Sequence, residues 1–135
     1  MKIGIIYVAQ PRQLEQTAKT LGRTLEKKGH QVEYLTVGTR DRATNLRKYD
    51  YIYLGSVAEG FFGGKIPEPV KDYVKQCRGL ENSKSAAFLL KRFFGNTKGM
   101  KRLMAVLESM GSQVLDFQVI GGNSDIEALV NRLRG

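Results

Sequence analysis

"YDYIYLGSVAEGFFGGKIPEPVKDYVKQC" (residues 49–77) holds a strand, a loop and a helix in one reading. "YIYLG" is a short, continuous apolar run, the pattern of a strand covered on both faces. "SVAEGFFGGK" then supplies glycines that permit unusual backbone angles. "IPEPVKDYVKQC" reads as a helix that opens near its prolines and closes before Gly79. A buried strand, a loop and a helix in that order form a repeating unit of parallel sheets, so the fold turns on whether the rest of the chain repeats it.

It does. Upstream, "KIGIIYV" is a second buried strand, and Leu14, Ala18, Leu21 and Leu25 form a helical stripe between Pro11 and Lys28, stopped by Gly29. "QVEYLTV" alternates as a strand, and "TRDRATNLRKYD" is a polar connection with room for a short helix around Ala43 to Lys48. Downstream, "SAAFLL" is a strand and "GNTKGMKRLMAVLESM" a helix carrying Leu103, Val106, Leu107 and Met110, stopped by Gly111. "QVLDFQVIG" is a fifth strand, and "NSDIEALVNRLR" a last helix with Asn123 or Ser124 as N-cap. The alternation predicts one α/β domain over residues 1–135, a three-layer sandwich around a five-stranded parallel sheet. With right-handed crossovers, 2-1-3-4-5 is a common strand order. Ligands in such sheets bind beyond the carboxyl ends of the strands, which here means residues 8–14, 55–66 and 90–98.

Composition bounds the function. The chain has 135 residues, 41% of them hydrophobic, enough for a real core. No apolar run approaches the roughly 18–20 residues that span a bilayer. "MKIGII" enters a strand directly, without signal-peptide architecture, so a cytoplasmic location is expected. One cysteine, Cys77, and one histidine, His30, exclude an internal disulfide, a CxxC centre and a Cys/His zinc site. The formal net charge is +9, yet no basic run exceeds two residues. A solvated basic surface is the plain reading. An acidic partner protein ranks next and nucleic acid after it.

Several chemistries of this architecture are absent. The turn after the first strand, "YVAQPRQ", has no glycine and cannot be a GxGxxG dinucleotide site. The strand ends "IIYVAQ" and "YLGSV" lack the acidic residues of a phosphoacceptor receiver. "EGFFGGKI" has Glu59 where a P-loop needs its first glycine and Ile66 where it needs a hydroxyl. His30 falls at the opposite end of the sheet and reads as surface, while Cys77 near a helix end reads as a packing residue.

The segments "KIGIIYVAQPRQLEQTAKTLGRTLEKKGHQVEYL", "YDYIYLGSVAEGFFGGKIPEPVKDYVKQ" and "LESMGSQVLDFQVIGG" resemble the flavodoxins in their short-chain form, over nearly the whole chain in order and spacing. The resemblance implies FMN at the carboxyl edge of the sheet. Its phosphate would lie in the loop after the first strand, and its ring between the loops after the third and fourth. Family phosphate loops resemble S/T-x-T-G-x-T; here Ala9 and Pro11 stand for the first two hydroxyls, Arg12 for the glycine and Leu14 for the last threonine. The residues left to hold a phosphate are Gln10, Arg12 and Gln13. On the ring side, the resemblance implicates Ser56, Glu59, Phe61, Phe62 and Gly63 after the third strand, and Phe93, Phe94, Gly95 and Asn96 after the fourth. The four phenylalanines either form an apolar slot for a flavin or pack on one another as loop anchors.

Three functions follow from the resemblance. The first is an FMN-dependent electron-transfer protein with atypical phosphate binding and, given its charge, an acidic redox partner. The second is a degenerate domain that has lost FMN and serves as an interaction or scaffold module. A flavoenzyme similar to the quinone-dependent protoporphyrinogen oxidases or the small NAD(P)H-dependent reductases ranks third, because no substrate domain or acid/base pair is evident.

Overall fold

The strands assemble in the order β2-β1-β3-β4-β5, every pair parallel. The computed structural model describes residues 1–38, 45–60 and 64–134. In chain order the elements are β1 (Lys2–Val8), α1 (Arg12–Lys27), β2 (Gln31–Val37), β3 (Tyr51–Ser56), α2 (Glu68–Gln76), β4 (Lys84–Leu90), α3 (Asn96–Glu108), β5 (Gln113–Ile120) and α4 (Asn123–Asn131). Strict alternation and right-handed crossovers therefore lead to the expected sheet.

Because strand side chains alternate between faces, the sheet divides the core in two. Ile3, Ile5, Tyr7, Tyr51 and Tyr53 face α1 and α4, where they meet Leu14, Leu21, Leu25 and Ile126. Ile6, Ile52, Leu54, Ala87 and Leu89 face α2 and α3, where they meet Val70, Val74, Leu103 and Leu107. Burial pushes the Tyr51 hydroxyl up to about 12, with Asp116 adding to the shift, and pushes Tyr53 higher still. Both phenols are neutral packing groups. Cys77 is buried in the second core, as expected of a packing residue.

Helix ends follow local chemistry. After α1, the Gly29 N–H donates to the Glu26 carbonyl and the His30 N–H to the Leu25 carbonyl, with Gly29 at φ +95°. That is a Schellman ending, and Gly111 closes the turn after α3 in the same way. α2 starts at Glu68, after Ile66 and Pro67, so it is shorter than its sequence pattern. The N-cap of α4 is Gly122 rather than Asn123 or Ser124. The reason is Asp125, whose carboxylate accepts the Gly121 and Gly122 N–H groups at 2.7 and 3.2 Å and so fixes the start one residue earlier. Of the polar connection, Leu46–Lys48 forms one 3₁₀ turn capped by Asn45. The rest of the short helix anticipated there lies outside the described residues. His30 is only partly exposed, its Nδ1 lying 3.0 Å from the Met1 amino group, at the end of the sheet remote from the candidate site.

Candidate functional site

Parallel strands bring the loops after β1, β3 and β4 to one edge. Register places Tyr7 beside Gly55 and Ser56 beside Leu89, so the three loops leave neighbouring strands at nearly the same level. Gln10, Arg12 and Gln13 stand at the β1 exit, Ser56 and Glu59 at the β3 exit, and Phe93, Phe94, Gly95 and Asn96 at the β4 exit. Phe61, Phe62 and Gly63 lie outside the described residues.

At the β1 exit, Pro11 is the N-cap of α1 and provides no side-chain hydrogen bond. The first-turn N–H groups are therefore left without a side-chain acceptor, and they carry the positive end of the helix dipole. Arg12, the first helical residue, is exposed, as are Gln10 and Gln13. Leu14 is the opposite case: it is 0% exposed and belongs to the core stripe of α1. Burying it stabilises the helix packing by about 1.5–3 kcal/mol, which explains an apolar residue at a position where a phosphate loop would carry a hydroxyl.

The β3 exit is held from the β4 exit. Backbone N–H and carbonyl groups of Glu59 and Lys65 pair with each other, closing the loop at its base. Arg92 Nη1 donates to the Ala58 carbonyl and Nη2 to the Gly60 carbonyl, at 3.4 Å for the latter. Arg102 Nη1 donates to the Gly64 carbonyl at 2.8 Å. A glycine-rich loop has few side chains of its own to satisfy its carbonyls, and two arginines of the next segment do so. Sequence reasoning missed both. The signals were two basic pairs, Lys91–Arg92 directly after β4 and Lys101–Arg102 in α3, legible as charge but not as a loop clamp.

Two of the expected site residues have structural partners. Ser56 is fully buried and its hydroxyl donates to the Val57 carbonyl at 3.0 Å. The Asn96 amide accepts the Arg92 N–H at 2.8 Å and donates to the Arg92 carbonyl at 2.7 Å, stapling the β4–α3 turn. Phe93 and Phe94 are 91% and 60% exposed, with ring centroids 4.8 Å apart in an edge-to-face arrangement. They pack on each other as loop anchors do, and each also leaves much of its ring open.

For FMN, this edge offers a cationic helix start with a guanidinium at the phosphate end and open aromatic surface at the ring end. The donor set suits a phosphate dianion although it contains no hydroxyl. Among the described residues there is no group of three or more His, Cys, Asp or Glu side chains able to hold a metal ion. No described helix is long and apolar enough to cross a membrane.

The geometry defines a class: a doubly wound α/β protein whose candidate ligand edge lies at the β1/β3 switch point. Comparison with solved structures gives that class its name, a flavodoxin-like fold. Flavodoxin 1 from Bacillus cereus matches with a TM-score of 0.73 and 19% identity, over 97% of this chain and 93% of its own. The Megasphaera elsdenii flavodoxin in its two-electron reduced form matches with a TM-score of 0.78 and 19% identity, over 95% of each chain. Rubredoxin oxygen:oxidoreductase from Desulfovibrio gigas matches with a TM-score of 0.68 and 18% identity, over 96% of this chain and 33% of its own. No protein-family profile and no curated protein sequence matches the chain.

Proposed function

We propose that the chain is an FMN-dependent electron-transfer protein that holds its cofactor phosphate with a guanidinium and a helix start in place of hydroxyls. The observation that carries the reading is the beginning of α1, where an uncapped N-terminus and the exposed Arg12 meet. First-turn N–H groups attract anions, and a guanidinium can bind two phosphate oxygens at once. Gln10 and Gln13 add amide donors beside it. When bound, FMN supplies the one- and two-electron chemistry, and the protein binds, orients and shields it. Phe93 and Phe94 offer apolar surface to the ring, and Phe61, Phe62 and Gly63 are the further ring-side residues that the resemblance implicates. Glu59, Ser56, Gly95 and Asn96 form the surrounding frame. The likeness to flavodoxins along nearly the full chain supports a carrier over a scaffold module. The net charge of +9 favours an acidic redox partner.

Parallel titrations with FMN and riboflavin test the phosphate site. The expected outcome is FMN binding at least about tenfold tighter, roughly 1.4 kcal/mol, with Arg12→Ala erasing the difference. Equal affinity, or no binding of either, overturns the reading and leaves the interaction module. On the ring side, Phe94→Ala should weaken FMN binding by about 0.5–1.5 kcal/mol beyond lost area. Unchanged affinity in single alanine variants of Phe61, Phe62, Phe93 and Phe94 alike would refute the aromatic slot.

A further inference from the structure

From Asn82 to Leu107 the chain carries six Lys or Arg residues and no Asp or Glu. Five of them, Lys91, Arg92, Lys98, Lys101 and Arg102, fall within the β4 exit and the first two turns of α3. None forms an ion pair with a carboxylate among the described residues. Arg92 and Arg102 are occupied by loop carbonyls, which leaves the exposed Lys91, Lys98 and Lys101 as open charges. In sequence, Phe93 stands between Lys91 and Lys98, with 91% of its surface in water. A cleft of about 290 Å³ begins at Thr97, on the first turn of α3, and runs between α3 and β5. Its walls are the side chains of Met100, Met104, Phe117 and Val119, with Lys101 at the rim.

We propose that this surface docks the acidic face of a partner protein that carries an apolar anchor residue. The charges choose among occupants. A second copy placed on the same patch would set these lysines against their own counterparts, a like-charge contact that costs affinity. Nucleic acid would follow the lysines, but the apolar cleft offers a phosphate backbone nothing. An acidic protein satisfies both halves: carboxylates meet Lys91, Lys98 and Lys101, and one apolar side chain desolvates against Phe93 or enters the Met-lined cleft. Methionines suit such a role because they repack around different shapes. Of this surface only Phe93 is also assigned to the flavin ring; the cleft and the three lysines are not, so docking there does not require FMN.

NMR titration of the ¹⁵N-labelled full chain tests it with three probes: a short Glu-rich peptide with a central Leu-Phe pair, the same peptide with Ser-Ser at the centre, and single-stranded oligothymidylate. The Leu-Phe peptide should shift resonances of residues 91–104 and 117, and bind several-fold tighter than the Ser-Ser peptide. Its affinity should fall on the order of tenfold as salt rises from about 0.05 M to about 0.3 M. Phe93→Ser and, separately, Lys98→Glu should each weaken it several-fold while leaving the circular dichroism spectrum unchanged. Tighter binding of oligothymidylate, equal affinity for the two peptides, shifts confined to other surfaces, or concentration-dependent dimerisation through this patch would each overturn the proposal.

Discussion

Gly55 shows how closely single residues are fitted at the candidate edge. A Cβ built there would lie 2.1 Å from the tip of the Phe88 ring, which is fully buried and beside Gly55 in the register of β3 and β4. The ring cannot withdraw without disturbing the α1/α4 core, so Gly55→Ala should destabilise the protein by about 1–3 kcal/mol. Urea melts compared with wild type would measure it, and an unchanged midpoint would mean that the core yields. Gly22 meets a similar obstacle of another kind. Its added Cβ would lie 2.0 Å from the Tyr34 hydroxyl, the far end of a side chain with one partly exposed, 3.5 Å hydrogen bond to the Lys19 carbonyl. There the roughly 1 kcal/mol gained in helix propensity offsets much of the cost of moving the phenol. Gly22→Ala should therefore be much milder than Gly55→Ala, and thermal melts of the two variants side by side would reveal the reverse order if it held.

The elements depend on the turns that join them, and the β4–α3 turn is the one the candidate site needs most. Asn96 bonds both backbone groups of Arg92, whose guanidinium in turn holds the Ala58 and Gly60 carbonyls. Asn96→Ala removes both bonds of the staple and should cost about 1–3 kcal/mol. It should also raise hydrogen-exchange rates at residues 58–60, and unchanged exchange there would show that Arg92 needs no staple. At the far edge, Arg132 binds the Asp116 carboxylate at 3.0 Å and the Phe117 carbonyl at 3.1 Å, while Asp116 accepts the Phe117 N–H, so the open side of β5 is blunted although Leu115 and Phe117 are exposed. Such contacts mark the limit of legibility. Strand order, helix stripes and the glycine stops at Gly29 and Gly111 were readable because periodicity and φ > 0 are local properties. Placing the three loops on one edge was readable from topology. The Asp125 cap, the Asn96 staple and the Arg92 and Arg102 clamps were not, because each depends on where a polar side chain meets a particular backbone group. Leu14 shows the same limit within a motif. It read both as the first residue of the α1 stripe and as a lost hydroxyl in a phosphate loop, and its full burial shows the packing role, which the loop motif alone could not rank first.

At the scale of the whole molecule, charge sets the pH range of stability. Glu33 on the outer strand β2 accepts a hydrogen bond from the Tyr49 hydroxyl and lies 3.2 and 3.7 Å from Lys48 and Lys2. The Tyr49 bond first, then Lys48, hold its carboxyl below the ordinary carboxylate value. A lowered folded-state pKa means that this stabilisation is complete above the ordinary carboxylate range and is lost as pH falls through the folded value. Its size is under about 1 kcal/mol, since the Glu33 side chain is substantially exposed and screened by water. Acid also neutralises carboxylates in a chain already at +9, adding self-repulsion that salt relieves. At the other extreme Tyr49, Tyr51 and Tyr53 are all shifted upward, chiefly by burial. Neutral phenols favoured in the folded state keep their full contribution below the unfolded value near 10, and lose it as pH rises beyond. Denaturant melts across the pH range should therefore show a plateau near neutrality, a salt-sensitive acid limb and a steep alkaline limb. Glu33→Gln should lower the plateau slightly and flatten the acid limb, leaving the alkaline limb dominated by the buried tyrosines. An acid limb of unchanged slope in that variant would mean that the Glu33 cluster contributes nothing, and that general charge repulsion alone drives unfolding in acid.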